Sequence, residues 1–171
     1  MELATYELAL QKYSSKLKTS FTPLNSWDFH TNNFFTFKKS FSDSILLNQL
    51  SLKNNWKQNW DLQSKLQNET VIVVTDVNLK IVFASKNMIK MNGYNPKEVI
   101  GQHPKMFQGE KTNNETSKEI GLAIKNHLSF KKVITNYCKD GSLYKCEIQG
   151  FPVFNKLGVL INFIAFERMV A

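Results

Sequence analysis

The chain has 171 residues, enough for one well-buried core with an extension and too few for two full domains. A hydrophobic fraction of 42% and an aromatic fraction of 12%, with 13 Phe, exclude a disordered tail. The formal charge of +8 comes from 22 basic against 14 acidic residues, yet Arg168 is the sole arginine and the lysines are dispersed. With no arginine forks to read base edges and no basic block to follow a phosphate backbone, the composition argues against a nucleic-acid partner.

Leu3, Tyr6, Leu10, Tyr13 and Leu17 recur at helical spacing until Thr22-Pro23, which predicts a first helix. The first residues lack the basic and apolar regions of a signal peptide, and no apolar run approaches a membrane span, so a cytoplasmic protein with no membrane contact is expected. An irregular aromatic stretch from Trp27 to Phe41 follows. Ser42 or Asp43 is placed to cap a second helix carrying Ile45, Leu46, Leu47, Leu50 and Leu52. Trp56 and Trp60, at i and i+4, predict a third helix over residues 55–67. Core packing is the expected role of these aromatics.

From residue 70 the period changes to two. Val71-Ile72-Val73-Val74 and Ile81-Val82-Phe83 read as strands joined by a hairpin at Asp76 to Leu79. Short helical segments follow at Asn87 to Met91 and Asn95 to Val99, ending at Gly93 and Gly101. Thr112 to Asn126 is the one substantial helix of this region. Strands near 130–138, 143–153 and 158–168 close the chain. The reading is α+β: a five-stranded antiparallel sheet with short helices and one longer helix, over residues 70–171, preceded by an N-terminal helical extension over 1–69.

The order and its motifs resemble the PAS fold. Met91-Asn92-Gly93-Tyr94, Glu98-Val99-Ile100-Gly101, Tyr137 with Lys139-Asp140-Gly141, and Phe151-Pro152-Val153 are similar to that family's landmarks over residues 70–168. The resemblance implies a signal-transduction sensor. Within the family the stretch Gly101 to Gly109 is similar to the LOV group of flavin-binding blue-light sensors, whose motif reads G-x-N-C-R-F-L-Q-G. The photochemical cysteine falls on Pro104, which has no thiol to add to a flavin. Lys105 replaces a phosphate-binding arginine, keeping a point charge without the fork, and His103 replaces a flavin-contacting asparagine. Gln108 and Asn136 match retained pocket amides, while the second asparagine falls on Cys146 and the flavin-facing glutamine on Glu167.

A candidate ligand pocket therefore comprises His103, Lys105, Gln108, Asn136, Cys146, Phe163, Ala165 and Glu167. Asn136 and Cys146 can share it only if the hairpin between them puts both on one face. A two-residue turn at Asp140-Gly141 separates them, whereas a three-residue loop, Asp140 to Ser142, sets them opposite each other. Neither register opposes Cys138 to Cys146, so no disulfide is expected. Glu167 either points inward, where burial would raise its pKa, or turns to solvent near the chain end. Among haem-binding PAS domains a histidine near the long helix serves as ligand. His103 and His127 are the candidates, but a lone loop histidine is more often structural, and haem is set aside.

The last strand is largely apolar on both faces, so residues 42–66 are expected to cover its outer face, in the same subunit or across a homodimer. No nucleophile–base pair, phosphate loop or cluster of metal ligands stands out. The expected function is a non-enzymatic sensory module acting through a small-molecule ligand or a protein partner, as a homodimer or with a signalling partner. The alternative is a flavin-binding redox or light sensor that works without the cysteinyl adduct.

Overall fold

The computed structural model describes residues 41–68 and 70–170, all within one compact unit that runs from Phe35 to Ala171. The helix expected near Leu3 to Leu17, and most of the aromatic stretch ending at Phe41, lie outside the described residues.

The described elements are α1 (described part, residues 41–53), α2 (Leu62–Gln67), β1 (Val71–Asp76), β2 (Ile81–Ala84), α3 (Met88–Asn92) and α4 (Pro96–Val99). A 3-10 turn at Pro104–Phe107, α5 (Asn114–Lys125), β3 (Phe130–Tyr137), β4 (Leu143–Phe154) and β5 (Leu160–Val170) complete them. The strands form one sheet in the order β2-β1-β5-β4-β3, with every pairing antiparallel. The expected α+β architecture, five antiparallel strands with short helices and one longer helix, is what the structure shows.

Local chemistry sets most element ends. At α4 the Asn95 side chain accepts from the Lys97 N–H, and Glu98 accepts from the Asn95 N–H at 2.8 Å, a capping box ahead of Pro96. Gly93, at φ 79°, ends α3 in the left-handed conformation that glycine adopts without a Cβ penalty. Asn113 caps α5 by accepting from the Thr116 N–H at 3.0 Å. In the β1–β2 hairpin the Asp76 carboxylate accepts from the Asn78 and Lys80 N–H groups.

Two apolar layers flank the sheet. Val71, Val73, Ile81, Ile134, Tyr144 and Cys146 of the inner face pack against Met88 and Met91 of α3, Val99 of α4 and Phe107 of the 3-10 turn. On the outer face Ile72, Val74, Phe83, Val153, Ile164 and Phe166 pack against Leu47, Trp56, Leu62 and Leu66 of the N-terminal segment of the same chain. Alternation along β5 separates the layers: Phe163, Ala165 and Glu167 face inward, and Ile164 and Phe166 outward.

Three local expectations are corrected. Phe41 is already helical, so Asp43 is not the cap of α1; its buried carboxylate instead accepts from the Lys86 N–H at 2.7 Å, beside the entry to α3. Burial pushes the Asp43 carboxyl up, against the pull of that bond and of the Lys86 charge.

Residues 55–61 are not helical. Trp56 bridges to Asn155, and the Lys57 N–H donates to the Phe154 carbonyl, so the segment extends along the end of β4 and only Leu62–Gln67 is helix. The β3–β4 hairpin follows neither expected register. Tyr137 pairs with Leu143 and Asn136 with Tyr144, leaving Cys138 to Ser142 as the loop. Asn136 and Cys146 therefore share a face but stand one diagonal step apart. Both cysteines are free.

Candidate functional site

A cavity of about 100 Å³ lies between the inner face of the sheet and α5. Its apolar wall includes Val73, Phe107, Ile120, Ile124, Phe163 and Ala165. Ile120 and Ile124 come from one helical face of α5, four residues apart. Phe107 is held at the cavity edge by an edge-to-face contact with Tyr94, at a centroid separation of 5.4 Å.

Gly150 of β4 stands opposite Phe130 of β3, and a Cβ at that position would lie 2.3 Å from the Phe130 ring. The glycine therefore lets the ring lie flat across the strand and narrow the cavity.

Of the eight residues singled out from sequence, Gln108, Asn136, Phe163, Ala165 and Glu167 line this cavity. Gln108 Oε1 accepts from Ser117 Oγ at 3.0 Å, which ties the end of the 3-10 turn to α5. His103, Lys105 and Cys146 do not line it. His103 Nδ1 accepts from the Lys105 N–H at 3.1 Å and caps the 3-10 turn. Burial, then the Lys105 and Lys80 charges, push the His103 pKa down. Lys105 is exposed. Cys146 lies on the same inner face but off the cavity wall, with its Sγ 4.0 Å from Glu167 Oε2, and burial, then the Glu167 charge, push its thiol up.

Glu167 points inward and is 6% exposed. Among the described residues its one side-chain hydrogen bond is the long contact from Cys146. Burial lifts its carboxyl to about 7. Asn136, 4% exposed, has no protein partner for Oδ1, and Thr75, 6% exposed, has none for Oγ1. Thr75 and Tyr144 were not singled out from sequence. Tyr144 shares its face with Cys146 by simple alternation and accepts from Asn92 Nδ2 at 3.3 Å. Alternation also puts Thr75 on the face of Val73. A buried hydroxyl in a strand gives no stronger signal in sequence.

The LOV resemblance implies a flavin, whose ring edge presents two carbonyl acceptors around one N–H. A host must offer donors to both carbonyls. Cys146 supplies no amide and its thiol is turned to Glu167 and to the Glu147 carbonyl, while an ionised Glu167 would set acceptor against acceptor. The cavity also falls below the roughly 300–1,000 Å³ usual for sites that hold larger ligands. Volume and donor set do not fit a flavin.

The model of the family described as "PAS domain" matches residues 68–168. The protein TWIN LOV 1 of Arabidopsis thaliana is 43% identical over 88 residues, which cover 51% of this chain and 22% of that protein. Phototropin-2 of Oryza sativa subsp. japonica is 32% identical over 112 residues, 65% of this chain and 12% of that protein. The chain thus spans less than a quarter of the length of either relative.

A light-oxygen-voltage domain solved in a flavin-analogue study aligns over 66% of this chain and 87% of that one, at a TM-score of 0.61 and 23% identity, a likeness of fold. With the sheet order, the helix pattern and the family match in agreement, the chain belongs to the PAS domain family of sensory signalling domains.

Proposed function

We propose that the chain is a non-enzymatic sensory module in which a small molecule occupies the cavity and the change passes through the sheet to the N-terminal layer, and so to a protein partner. The observation that carries this reading is the cavity wall itself. Apolar on most sides, it holds three buried oxygen-bearing side chains, Thr75, Asn136 and Glu167, that the protein leaves with little or no bonding of their own. Burying such groups costs about 1–3 kcal/mol each, and a bound ligand offsets that cost.

The opposite face of the same sheet supports the second half of the reading. Asn162 of β5 donates to the Thr75 carbonyl at 2.9 Å, while its Oδ1 accepts from Trp56 Nε1 at 3.1 Å and from Asn54 Nδ2 at 2.9 Å. Thr75 lines the cavity and stands where the β1–β2 register shifts, and Trp56 belongs to the covering layer. One buried amide thus ties cavity wall to cover.

Among the described residues no group of three or more His, Cys, Asp and Glu is placed to hold a metal. No described helix is long and apolar enough to cross a membrane. We assign the protein to the cytoplasm and its output to a homodimer or a separate signalling partner.

A flavin-binding sensor that works without the adduct is the second reading. It is favoured by Gln108 and Asn136 on the wall and by the LOV names of the relatives, and opposed by the volume and donor set. Absorbance of the freshly purified full chain separates the two. The sensory reading predicts no structured blue band and no flavin mass in the native mass spectrum. A yellow protein would sustain the flavin reading.

A further inference from the structure

The polar groups of the cavity share one feature: each presents a buried oxygen able to accept a hydrogen bond and short of partners within the protein. Glu167, Asn136 and Thr75 come from three different strands, β5, β3 and β1, and each is more than nine-tenths buried. An ionised carboxylate only accepts. Asn136 Oδ1 is buried and unmet. The Thr75 hydroxyl adds a third oxygen.

Among the described residues no cation pairs with this set. Lys105 is exposed and lies off the cavity. Lys132 pairs with Glu119 at 2.6 Å, and Arg168, the residue after Glu167, pairs with Glu147 at 3.0 Å on the other side of the strand. A buried carboxylate without a positive partner is among the costlier arrangements in a folded chain.

We propose that the cavity takes a small flat ligand whose nitrogen donors carry positive charge, of the amino-heterocycle or amidine class, held by the Glu167 carboxylate with Asn136 Oδ1 and Thr75 Oγ1 as further acceptors. This rests on the ligand-sensing reading above. The apolar walls from Phe107, Ile120, Ile124 and Phe163 accept the faces of a ring, while the three oxygens meet its edge. A cavity of about 150 Å³ holds benzene, so about 100 Å³ selects a five-membered ring or a comparably small cation. An anion would meet the Glu167 charge, and an apolar ring of the same size would leave all three oxygens unmet. The elevated pKa of Glu167 agrees with this picture, since a bound cation is what would restore the ionised form near neutral pH.

The test uses the full chain labelled with ¹⁵N and three probes of one ring size: 2-aminoimidazole, a cation at neutral pH; thiophene, an apolar ring; and furan-2-carboxylate, an anion. Amide shifts of β1, β3 and β5 are followed in titration. The cation is expected to bind at least about tenfold more tightly than thiophene, with the anion weakest. Glu167→Gln, which keeps the shape and removes the charge, is expected to bring the cation to within about threefold of thiophene while thiophene itself is unchanged.

Thiophene or the carboxylate binding as tightly as the cation overturns the proposal and leaves the ligand-sensing reading standing. So does a Glu167→Gln protein that keeps the preference. If that variant loses its native spectrum, Asn136→Leu takes its place, with a loss of cation affinity of about fivefold or more expected and an unchanged affinity overturning the proposal. A cavity whose signals respond to none of the three probes overturns the ligand-sensing reading together with this one.

Discussion

Glu167 lies in β5 between Phe166, which packs into the outer layer, and Arg168, which is exposed. Strand alternation sends its carboxylate inward, and among the described residues no lysine or arginine pairs with it there. Unfolded, the carboxyl titrates near 4.5; folded, burial holds it near 7. Between these values the native state keeps a proton that the unfolded chain has lost, so stability is fully present below pH 4.5 and falls as pH rises to about 7.

The loss is at most roughly 3 kcal/mol for a shift of this size. Glu147 acts in the opposite sense: hydrogen bonds from Lys131, then Arg168, hold it down at about 2, so its contribution is lost only as pH falls below 4.5. Urea unfolding at pH 4.5 and 7.5 should show the wild type losing stability relative to Glu167→Gln at the higher pH. Parallel behaviour of the two proteins would mean that the carboxyl is not buried.

Asn162 gives a second test at this scale. Replacing it with Ala leaves Trp56 Nε1 and the Thr75 carbonyl without their buried partner, at a cost of about 2–3 kcal/mol. Trp56→Phe removes only the indole donor and should cost less than Asn162→Ala. The reverse order in urea midpoints would show that the amide is not the tie between layers. Residues of this kind were only partly legible in sequence. Alternation along β5 places Asn162 on the outer face with Ile164 and Phe166, but its three partners lie 87 to 108 positions away in the chain.

Among elements, the strands and α5 were legible because period and turn chemistry agree there. The segment 55–61 was misread because two tryptophans four apart satisfy the helix pattern, while tertiary bonds decide otherwise. Gln58 donates to the Pro152 carbonyl at 3.2 Å and accepts from the Phe154 N–H at 3.1 Å, serving the end of β4 as a neighbouring strand would. The hairpin register also escaped the sequence, since Cys138 N–H donates to the Ser142 carbonyl at 2.8 Å and Gly141 N–H to the Cys138 carbonyl at 3.0 Å, extending the loop beyond the tight turns its residues suggest.

The β3–β4 pairing beside the cavity can be tested through Gly150. Gly150→Ala drives a methyl into the Phe130 ring and should cost about 1–3 kcal/mol; Phe130→Leu in the same chain should recover much of it. Equal destabilisation with and without the second change would mean that the ring does not occupy that space.

The described unit is a sheet covered on both central faces, with the cavity on one side and the layer from residues 41–67 on the other. Leu47, Trp56, Leu62 and Leu66 are buried against the sheet, each contributing about 1.5–3 kcal/mol. Deleting residues 1–66 uncovers Ile72, Val74, Ile164 and Phe166 and should give an aggregating or self-associated protein by light scattering. A soluble monomer of unchanged stability would show that the layer is dispensable.

Filling the cavity is expected to alter the cover on the opposite face of the sheet. Hydrogen exchange of the full chain, read by mass spectrometry with and without saturating 2-aminoimidazole, addresses it most directly. The account predicts slower exchange in β3 and β5 together with a change in residues 54–67, on the opposite face. Protection confined to the cavity strands, with residues 54–67 unaffected, would contradict it.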